Sequence, residues 1–343
     1  MSEWRLIKLN FGRSPAHFGE LGIGIEETSE RVRSDSLFSA WVTAYARLFG
    51  SDAVEDFLNQ FLSQAEPPFR ISSTFVYHIQ NGQEAFYLPR PRAFPNQYPI
   101  GDDMSFAKDY KNLNYLPLAI WKRWYQTREG FLPEDLNASH IKAYGDTYRI
   151  NKVPKVAIDR TTRATNFYHT GFVQFKWEEN DQSGLYFLLT MPEQDQNLEE
   201  KLKATLEFLG EEGIGGERSS GAGRFRATWQ DLPSEWRSLV EADGNQHTLI
   251  STFWDSPVDD SLLEESSYEL QERGGWITSP FSGQQRRRKS IQMFAEGSVF
   301  SQRPKGKLAN VTPTGFNTHP IYRSGIALSL PICLNYRQEV RNG

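Results

Sequence analysis

The spacing of apolar residues along the chain predicts alternating strands and helices. Residues 4–11 alternate between apolar and polar side chains, as in a β-strand. Over residues 37–48, apolar side chains recur every three or four positions, as in a helix that begins with a capping residue at Ser34 and ends at Gly50. Residues 52–63 repeat this spacing, so a second helical stretch is expected directly after the glycine.

The middle of the chain combines a predicted hairpin with a polar segment. Residues 71–79 and 85–88 have the composition of strands, and the Asn-Gly pair between them is typical of a two-residue hairpin turn. Residues 115–126 are predicted to form a helix rich in aromatic side chains. Residues 138–165 are basic and have no apolar face that could join a core, so they are interpreted as a projecting hairpin or arm.

A helix, a glycine-rich loop and a strand follow one another in the second half of the chain. The helix has leucines at helical spacing after Asn197, a good N-cap residue, and Gly210 is predicted to end it. Residues 213–223 contain five glycines among eleven residues. Residues 224–229 then alternate as in a half-buried strand.

The glycine-rich loop is interpreted as a cradle for an anion. Its glycines can adopt positive φ repeatedly and approach another molecule closely, and oriented amides together with arginine and hydroxyl donors bind anions. A dinucleotide-binding fold needs the reverse order of strand, loop and helix. A P-loop needs Gly-Lys-Ser/Thr, whereas here Gly221 is followed by Ala222. A mobile turn with a purely structural role is the alternative.

Charge and composition narrow the class of protein. The 343 residues carry a formal net charge of −5, which argues against a freestanding, non-specific binder of nucleic acids. Locally the balance differs, because five basic residues and one acidic residue lie in 149–163, four basic residues lie in 286–289, and 255–272 is acidic. Basic patches on an acidic body suggest a subunit that holds RNA on one face and partners on others. Each such run is alternatively a solvated face.

The same sequence predicts a protein of the reducing cytoplasm. One cysteine, Cys333, excludes an internal disulfide. Residues 1–5 lack the apolar stretch of a signal peptide, and no apolar run approaches the ~18 residues of a transmembrane helix. No membrane contact is therefore expected.

Four short segments carry a resemblance to a known family. Residues 213–225, GIGGERSSGAGRF, follow an amphipathic helix and resemble the glycine-rich loop of RAMP proteins, the RNA-binding superfamily of CRISPR effector complexes. Residues 14–19 (SPAHFG), 33–40 (RSDSLFSA) and 319–325 (HPIYRSG) resemble the fourth subunit of type III-A (Csm) complexes. These segments span nearly the whole chain.

The resemblance implies an α+β fold of tandem ferredoxin-like (RRM-like, βαββαβ) RAMP domains. Residues 1–232 would form the N-terminal domain, with an insertion at about 50–165. This insertion would include an arm at about 138–165, similar to the thumb by which RAMP subunits reach over the guide strand. The glycine-rich loop, 213–223, would join the last helix to the last strand. Residues 233–343 would form a smaller, ferredoxin-like or β-rich domain.

The resemblance also implies an order of elements in the first domain. With the insertion removed, the predicted order is strand, helix, strand, strand, helix, strand, in which 166–177 and 184–191 form the middle strand pair.

The loop departs from the family pattern at Glu217, where a basic residue is usual, and at Ala222, where an aromatic residue is common. These departures predict a weaker grip on phosphate.

The resemblance also implies a non-catalytic RNA-binding subunit of a type III-A interference complex in antiviral defence. The subunit would hold the 5′ tag of the CRISPR RNA and bridge the large polymerase-like and nuclease subunit to the backbone RAMP subunits, with target RNA nearby. The residues that would bind RNA are Gly215, Gly216, Arg218, Ser219, Ser220, Gly221, Arg224, His17, Ser34, Arg160 and Arg163. A further set of candidate contacts to RNA or a partner is Arg286, Arg287, Arg288 and Lys289.

Two other functions remain open. CRISPR RNA-processing endoribonucleases share the ferredoxin-like fold and commonly use a histidine as a general acid or base, a role that His17 could take. Alternatively, the chain is a protein-interaction module whose glycine-rich loop is structural. The six histidines are scattered, with no His-x-x-x-His pair or acidic cluster of metal spacing, so no metal, cofactor or catalytic residue is predicted.

Overall fold

Strands and helices are mixed through the part of the chain that the computed structural model describes, residues 2–20, 24–99, 106–281 and 286–334. The strands are β1 (Glu3–Asn10), β2 (Arg70–Ile71), β3 (Phe75–Gln80), β4 (Gln83–Pro89), β5 (Tyr115–Pro117), β6 (Tyr148–Ile158), β7 (Thr165–Phe175), β8 (Trp177–Glu178), β9 (Asp181–Met191), β10 (Arg226–Asp231), β11 (Gln246–Leu249), β12 (Leu270–Arg273), β13 (Ile291–Phe294), β14 (Val299–Phe300), β15 (Leu308–Asn310), β16 (Tyr322–Ser324) and β17 (Ser329–Ile332). The helices are α1 (Ser34–Ser63), α2 (Ala107–Asn112), α3 (Leu118–Gln126), α4 (Ser139–Ala143), α5 (Gln196–Glu212), α6 (Ser234–Val240) and α7 (Asp260–Leu263). The predicted mixture of helices and strands is confirmed.

The largest sheet has its strands in the order β10-β1-β9-β3-β4-β5, and β2 and β8 also pair with β9. All of these pairings are antiparallel. Alternate residues of a strand point to opposite faces of a sheet, and both faces of β1 are apolar. Ile7 and Leu9 contribute to the core on one face, whereas Leu6 contributes to the core on the other. The sheet is therefore the middle layer of three.

The two outer layers come from different parts of the chain. Helices α1 and α5 cover one face of the sheet, with Trp41 and Leu206 in the core between them. The other face is covered by α3, α6 and C-terminal strands, which contribute Trp121, Trp236 and Leu330. Because this second core takes side chains from both sides of position 232, the C-terminal part of the chain packs directly against the large sheet.

Helix α1 is interrupted where the sequence predicts an end. Gly50 has a φ of 87° and separates two helical stretches within Ser34–Ser63. The start of the helix differs from the prediction, because Arg33 is the N-cap residue and the Ser34 backbone N donates to the Ser73 hydroxyl oxygen at 2.8 Å. Ser34 is the first helical residue rather than the cap.

Helix α5 begins and ends at different residues from those predicted. Asp195, not Asn197, is its N-cap residue, and the Asp195 carboxylate accepts a hydrogen bond from a first-turn amide at 2.9 Å. Gly210 lies inside the helix, which ends at Glu212 with Gly213 as its C-cap residue. A Cβ on Gly210 would lie 2.5 Å from the Phe225 carbonyl oxygen. This glycine is therefore needed because the chain after the loop passes close to the helix.

The predicted middle strand pair of the first domain does not form. β7 pairs with β6 in a separate two-stranded ribbon, whereas β9 lies between β1 and β3 in the large sheet. The hairpin of β3 and β4 is confirmed. β3 falls inside the range predicted as an insertion, 50–165, yet it pairs with β9. Apolar spacing identifies strands but not their distant partners. The sequence therefore could not reveal that β3, rather than β7, pairs with β9.

The projecting arm is a ribbon that begins and ends later than predicted. Most side chains of β6 are exposed, as expected for a hairpin outside the core. The ribbon begins at Tyr148 and continues to Phe175. Residues 139–146 belong to short helical turns instead. Within them, the ring centroid of Tyr144 lies 4.8 Å from that of Tyr115.

The C-terminal part forms three small sheets, β14-β11-β17, β12-β13 and β15-β16. Its strands are short, with two to four residues each. In described residues 233–281 and 286–334, the helices are α6 and α7, of seven and four residues. A second ferredoxin-like domain stays a prediction.

Candidate nucleic-acid interface

The glycine-rich loop is docked onto residues 14–19, one of the segments that carry the family resemblance. The backbone N of Gly216 donates to the carbonyl oxygen of His17 at 2.9 Å, and the backbone N of Gly223 donates to that of Pro15 at 2.8 Å. One side of the loop is therefore fixed against protein. On the other side, Gly215 is exposed.

A narrow neck closes the loop. The backbone N of Ile214 donates to the Gly223 carbonyl oxygen at 2.9 Å, and Ile214 and Ala222 are both buried. Gly223 has a φ of 78°, and a Cβ there would lie 2.0 Å from the Ile214 carbonyl oxygen. Gly221 also has a positive φ, 85°, but a Cβ there would meet nothing within 4 Å. Gly223 is thus required for space as well as for backbone conformation.

Replacing Gly223 by alanine is expected to destabilise the protein more than replacing Gly221 by alanine. Both changes force a left-handed alanine, at a cost of about 1–2 kcal/mol, but only the first adds a clash inside the neck. Overpacking of this kind costs about 1–3 kcal/mol more. Denaturant unfolding measures the difference in free energy of unfolding. Equal losses in the two variants would contradict the packed neck.

Residues 14–18, which we call the strap, also hold the base of the ribbon. Ala16 and Val173 exchange two backbone hydrogen bonds of 2.8 and 2.9 Å. Nδ1 of the buried His17 lies 2.7 Å from the Gly171 carbonyl oxygen. Because a carbonyl oxygen only accepts, Nδ1 carries the proton and donates it. The strap therefore links β7 on one side to the glycine-rich loop on the other.

A salt bridge joins the loop directly to the ribbon. Glu217, whose φ is 60°, pairs with the Lys155 ammonium group on β6. That ammonium nitrogen also lies 5.2 Å from the ring centroid of Phe172. The unusual acidic residue of this loop is thus neutralised by the arm.

A groove of about 300 Å³ opens beside the loop. Its walls are built by the loop (Gly215, Gly216, Arg218), by one face of α1 (Ser36, Ser39, Thr43), and by Arg273 at the end of β12 with residues 274–276 and 278 after it. Three- and four-residue spacing aligns the α1 hydroxyl residues along one side of that helix. The Ser39 and Thr43 hydroxyls already donate to the carbonyl oxygens of Asp35 and Ser39 at 2.9 and 2.8 Å. An anion in the groove would therefore be bound chiefly by guanidinium groups.

A largely buried ionic network forms part of the groove wall and joins the two parts of the chain. It connects the carboxylates of Glu20, Asp35 and Glu296 to the guanidinium groups of Arg31, Arg33, Arg273 and Arg323. With Arg288, which also lines the groove, this set has five arginines against three carboxylates, an excess of two positive charges. Its electrostatic balance favours an anionic ligand.

Asp35 is the centre of this network. Its side chain is fully buried, and its two oxygens accept hydrogen bonds from Nε and Nη2 of Arg273 at 3.0 and 3.1 Å. Burial by itself would raise the pKa of Asp35, but the charges of Arg273 and Arg323 outweigh it and hold that pKa well below its usual value. Asp35 therefore stays ionised and holds arginines from the C-terminal part against helix α1.

The groove brings together only part of the predicted RNA-binding set. The members that line it are His17, Gly215, Gly216 and Arg218. The remaining loop members, which are outside the groove wall, are Ser219, Ser220, Gly221 and Arg224. Of these, Ser219, Ser220 and Arg224 are exposed, and the Ser220 hydroxyl donates back to the Glu217 carbonyl oxygen at 2.8 Å.

Three predicted contacts lie elsewhere. Ser34 is buried, and its hydroxyl oxygen accepts a hydrogen bond from the Thr252 backbone N at 2.9 Å. This hydroxyl connects α1 to the C-terminal part, so it is not available to a phosphate. Arg160 and Arg163 are exposed in the turn between β6 and β7, at the tip of the ribbon. Strand β6 continues three residues past Lys155, so this tip lies roughly 10 Å beyond the loop contact.

The basic run at 286–289 is divided among different environments. Arg286 donates through Nη1 to the Gly315 carbonyl oxygen at 3.0 Å. Arg287 lies over the ring of Trp276, 5.2 Å from its centroid. Arg288 lines the groove, whereas Lys289 is exposed outside it. The run is therefore not one continuous basic surface.

Several groove residues were missed by the sequence analysis. The spacing of Ser36, Ser39 and Thr43 between apolar helix positions was a signal that could have found them. Arg273 and Trp276 gave no signal, because only the tertiary fold brings the C-terminal part beside α1.

In the described ranges, no group of three or more histidine, cysteine, aspartate or glutamate side chains is arranged to hold a metal ion. Likewise, none of the helices in these ranges is both long enough and apolar enough to cross a bilayer.

Comparison with protein families and curated proteins supports a single assignment. Residues 13–226 match the family model of the RAMP superfamily, and residues 242–332 match that of the CRISPR Csm4 C-terminal domain. Curated proteins named "CRISPR system Cms protein Csm4" are similar. The one from Thermococcus onnurineus is 26% identical over 80% of this chain and 83% of its own length. The one from Methanocaldococcus jannaschii is 24% identical over 93% and 94%.

Solved structures show the same fold. The Csm3-Csm4 subcomplex of the type III-A CRISPR-Cas interference complex aligns with a TM-score of 0.60 and 19% identity, over 96% of this chain and 99% of the other. The Csm1-Csm4 cassette in complex with AMPPNP aligns with a TM-score of 0.55 and 18% identity, over 97% and 99%.

The chain therefore belongs to the RAMP superfamily. Within that superfamily it is similar, over most of its length, to the Csm4 proteins of type III CRISPR-Cas effector complexes. The resemblance found in the sequence is thus confirmed.

Proposed function

We propose that the chain is the non-catalytic RNA-binding subunit of a type III-A CRISPR effector complex that holds the 5′ tag of the CRISPR RNA. One observation carries this proposal. The glycine-rich loop is fixed on the strap so that Gly215, Gly216 and Arg218 line a groove whose surroundings have an excess of positive charge. Guanidinium groups beside a loop whose glycines allow a strand to approach closely suit the phosphates of a single strand.

The proposal includes a ferredoxin-like first domain. In chain order, β1, α1, β3, β9, α5 and β10 give the βαββαβ sequence of elements, and their strands lie side by side in the order β10-β1-β9-β3. The loop between α5 and β10 is the proposed RNA contact. The ribbon of β6 and β7 would be the thumb, inserted between β3 and β9.

We infer partners from the relatives. Solved relatives contain Csm4 with Csm3 and Csm4 with Csm1, and we propose equivalent contacts for this chain with a backbone RAMP subunit and with the large polymerase-like subunit. Target RNA would lie nearby. Such a complex would act in the cytoplasm in antiviral defence, and cleavage and nucleotide chemistry would belong to the other subunits.

Co-expression tests the proposal. The chain is produced with the other complex subunits and a guide RNA that carries or lacks the 5′ tag, and the assemblies are weighed by native mass spectrometry. We expect the chain in assemblies with the tagged guide and much less of it with the tagless guide. Equal incorporation with both guides would overturn tag binding.

The processing alternative makes an opposite prediction for His17. In our proposal, His17 is a strap residue, so purified protein should leave repeat RNA intact in EDTA. His17→Ala should lower guide loading several-fold, because it removes the hydrogen bond to Gly171 and the ring packed against Gly216. His319→Ala, which changes a histidine outside the groove, serves as the control. Cleavage of repeat RNA in EDTA that His17→Ala abolishes would favour the endoribonuclease instead.

A further inference from the structure

The outer half of the ribbon has one polar link to the rest of the protein. At the base of the ribbon, Nδ1 of His17 donates to the Gly171 carbonyl oxygen. Farther out, the Lys155–Glu217 salt bridge is the one hydrogen bond or ion pair that joins residues 153–169 to the remainder of the described chain. A two-stranded ribbon is only marginally stable by itself in water, so the position of this segment depends on that link.

The salt bridge lies halfway along the projecting part of the ribbon. From the pair of Lys152 with Gly171 at the base to the pair of Ile158 with Thr165 at the end, the ribbon extends roughly 20 Å. Lys155 lies midway, so the segment beyond the salt bridge spans only roughly 10 Å. Breaking the salt bridge would therefore double the length of ribbon that is attached at one end alone.

Glu217 is a firmly placed anchor for this link. Its backbone is left-handed, with a φ of 60°, a conformation that residues other than glycine rarely adopt. Its carbonyl oxygen accepts hydrogen bonds from the backbone N and the hydroxyl group of Ser220 at 3.0 and 2.8 Å. The preceding residue, Gly216, is bonded to the strap. Strained residues of this kind persist where their surroundings fix them, and they cluster at functional sites.

The lysine side of the pair is also held in place. The Lys155 ammonium nitrogen lies 5.2 Å from the ring centroid of Phe172, and that ring packs edge-on against the ring of His17. The side chains of Lys155 and Glu217 are 23% and 22% exposed. Because both charges are partly removed from water, salt screens them less than it screens a pair on the open surface.

We propose that Glu217 is a positioning residue. Through Lys155 it fixes the ribbon beside the glycine-rich loop, and so sets where the tip, with Arg160 and Arg163, meets the guide RNA. This inference rests on the proposed function, but the attachment of the ribbon can be measured without RNA. The acidic residue costs the loop a positive charge and, in return, orders the arm.

Hydrogen exchange of the full chain measures the attachment directly. Glu217→Gln should speed amide exchange in residues 153–169 by roughly two- to fivefold, the factor expected for one partly exposed ion pair. Glu217→Lys and Lys155→Glu place like charges side by side and should speed exchange further. The two changes together restore an ion pair of reversed sign and should return exchange towards the wild-type rate. Glu207→Gln, at an exposed position on α5, is the matched control and should leave exchange in the ribbon unchanged.

Guide loading into the assembled complex gives the functional measurement. By charge alone, Glu217→Lys makes the loop more basic and should tighten RNA binding. In our proposal the same change displaces the ribbon and lowers loading several-fold. Exchanging the two charged residues, Glu217→Lys with Lys155→Glu, should restore loading, which a purely local role of either residue does not predict.

The outcomes separate this inference from the proposed function, with thermal unfolding as the check that each variant is folded. Equal ribbon exchange in Glu217→Lys and the wild type would overturn the positioning role. Unchanged or increased loading with Glu217→Lys would overturn it too, and the proposed function would stand as long as Arg218→Glu still lowers loading. If neither Arg218→Glu nor any ribbon variant alters loading, the proposed function itself fails.

Discussion

Replacing Gly216 by aspartate together with Arg218 by glutamate abolishes loading of the tagged guide. Both residues line the groove, and the change removes a guanidinium group and places two carboxylates where we expect phosphates. A hydrogen bond to a charged group contributes about 1.5–3 kcal/mol, so the loss together with the new repulsion should weaken binding by more than about 100-fold. Guide loading is measured from the RNA content of the purified complex.

Single variants separate the two causes of this effect. A Cβ on Gly216 would lie 2.6 Å from Cδ2 of His17. Gly216→Ala therefore pushes against the strap without adding a charge, and so measures the steric effect alone. Arg218→Glu tests the charge without that clash. Arg128→Glu, an exposed change of equal charge outside the groove, is the control. Normal loading by the double variant, with the fold intact, would contradict the groove as the RNA site.

Replacing Asp35 by asparagine is expected to lower the free energy of unfolding by about 3–5 kcal/mol. The carboxylate is fully buried between Arg273 and Arg323, and its removal leaves their charges uncompensated inside the protein. The effect should reach RNA binding too, because Arg273 belongs to the groove wall. Denaturant unfolding checks the loss, and Asp243→Asn, at an exposed site, should cause almost none.

The pH dependence of stability gives a second measurement of the same network. The pKa of Asp35 and that of Glu296 are held well below their usual values, against the effect of burial, by neighbouring arginines. The unfolded chain, with carboxyl pKa values of about 4, therefore takes up protons first as the pH falls. Stability should be fully present above pH ~5 and decline below pH ~4, and Asp35→Asn should reduce that decline. Identical pH profiles for the wild type and Asp35→Asn would contradict a buried ionised Asp35.

Local sequence predicted the elements around the site better than the way they meet. The loop at 213–223, the break at Gly50 and the β3–β4 hairpin were all predictable, because glycine conformations and turn residues are decided by near neighbours. The pairing of β7 with β6 was not, because a strand can find any partner that completes its hydrogen bonds. Gly210 was wrongly predicted to end α5 for a related reason. A glycine is needed there because the backbone of Phe225, which follows the loop, passes close to the helix.

The sequence by itself determined the family, the helix, loop and strand around the glycines, and the type of donor groups that the loop presents. Only the tertiary structure decided that residues 14–18 tie the loop to the ribbon, that the Ser34 hydroxyl is buried, and that Arg288 faces the groove while Arg286 does not. The physical reason is range. Backbone conformation depends on adjacent residues, whereas burial and charge balance depend on groups brought together from distant parts of the chain, as Asp35 and Arg323 are.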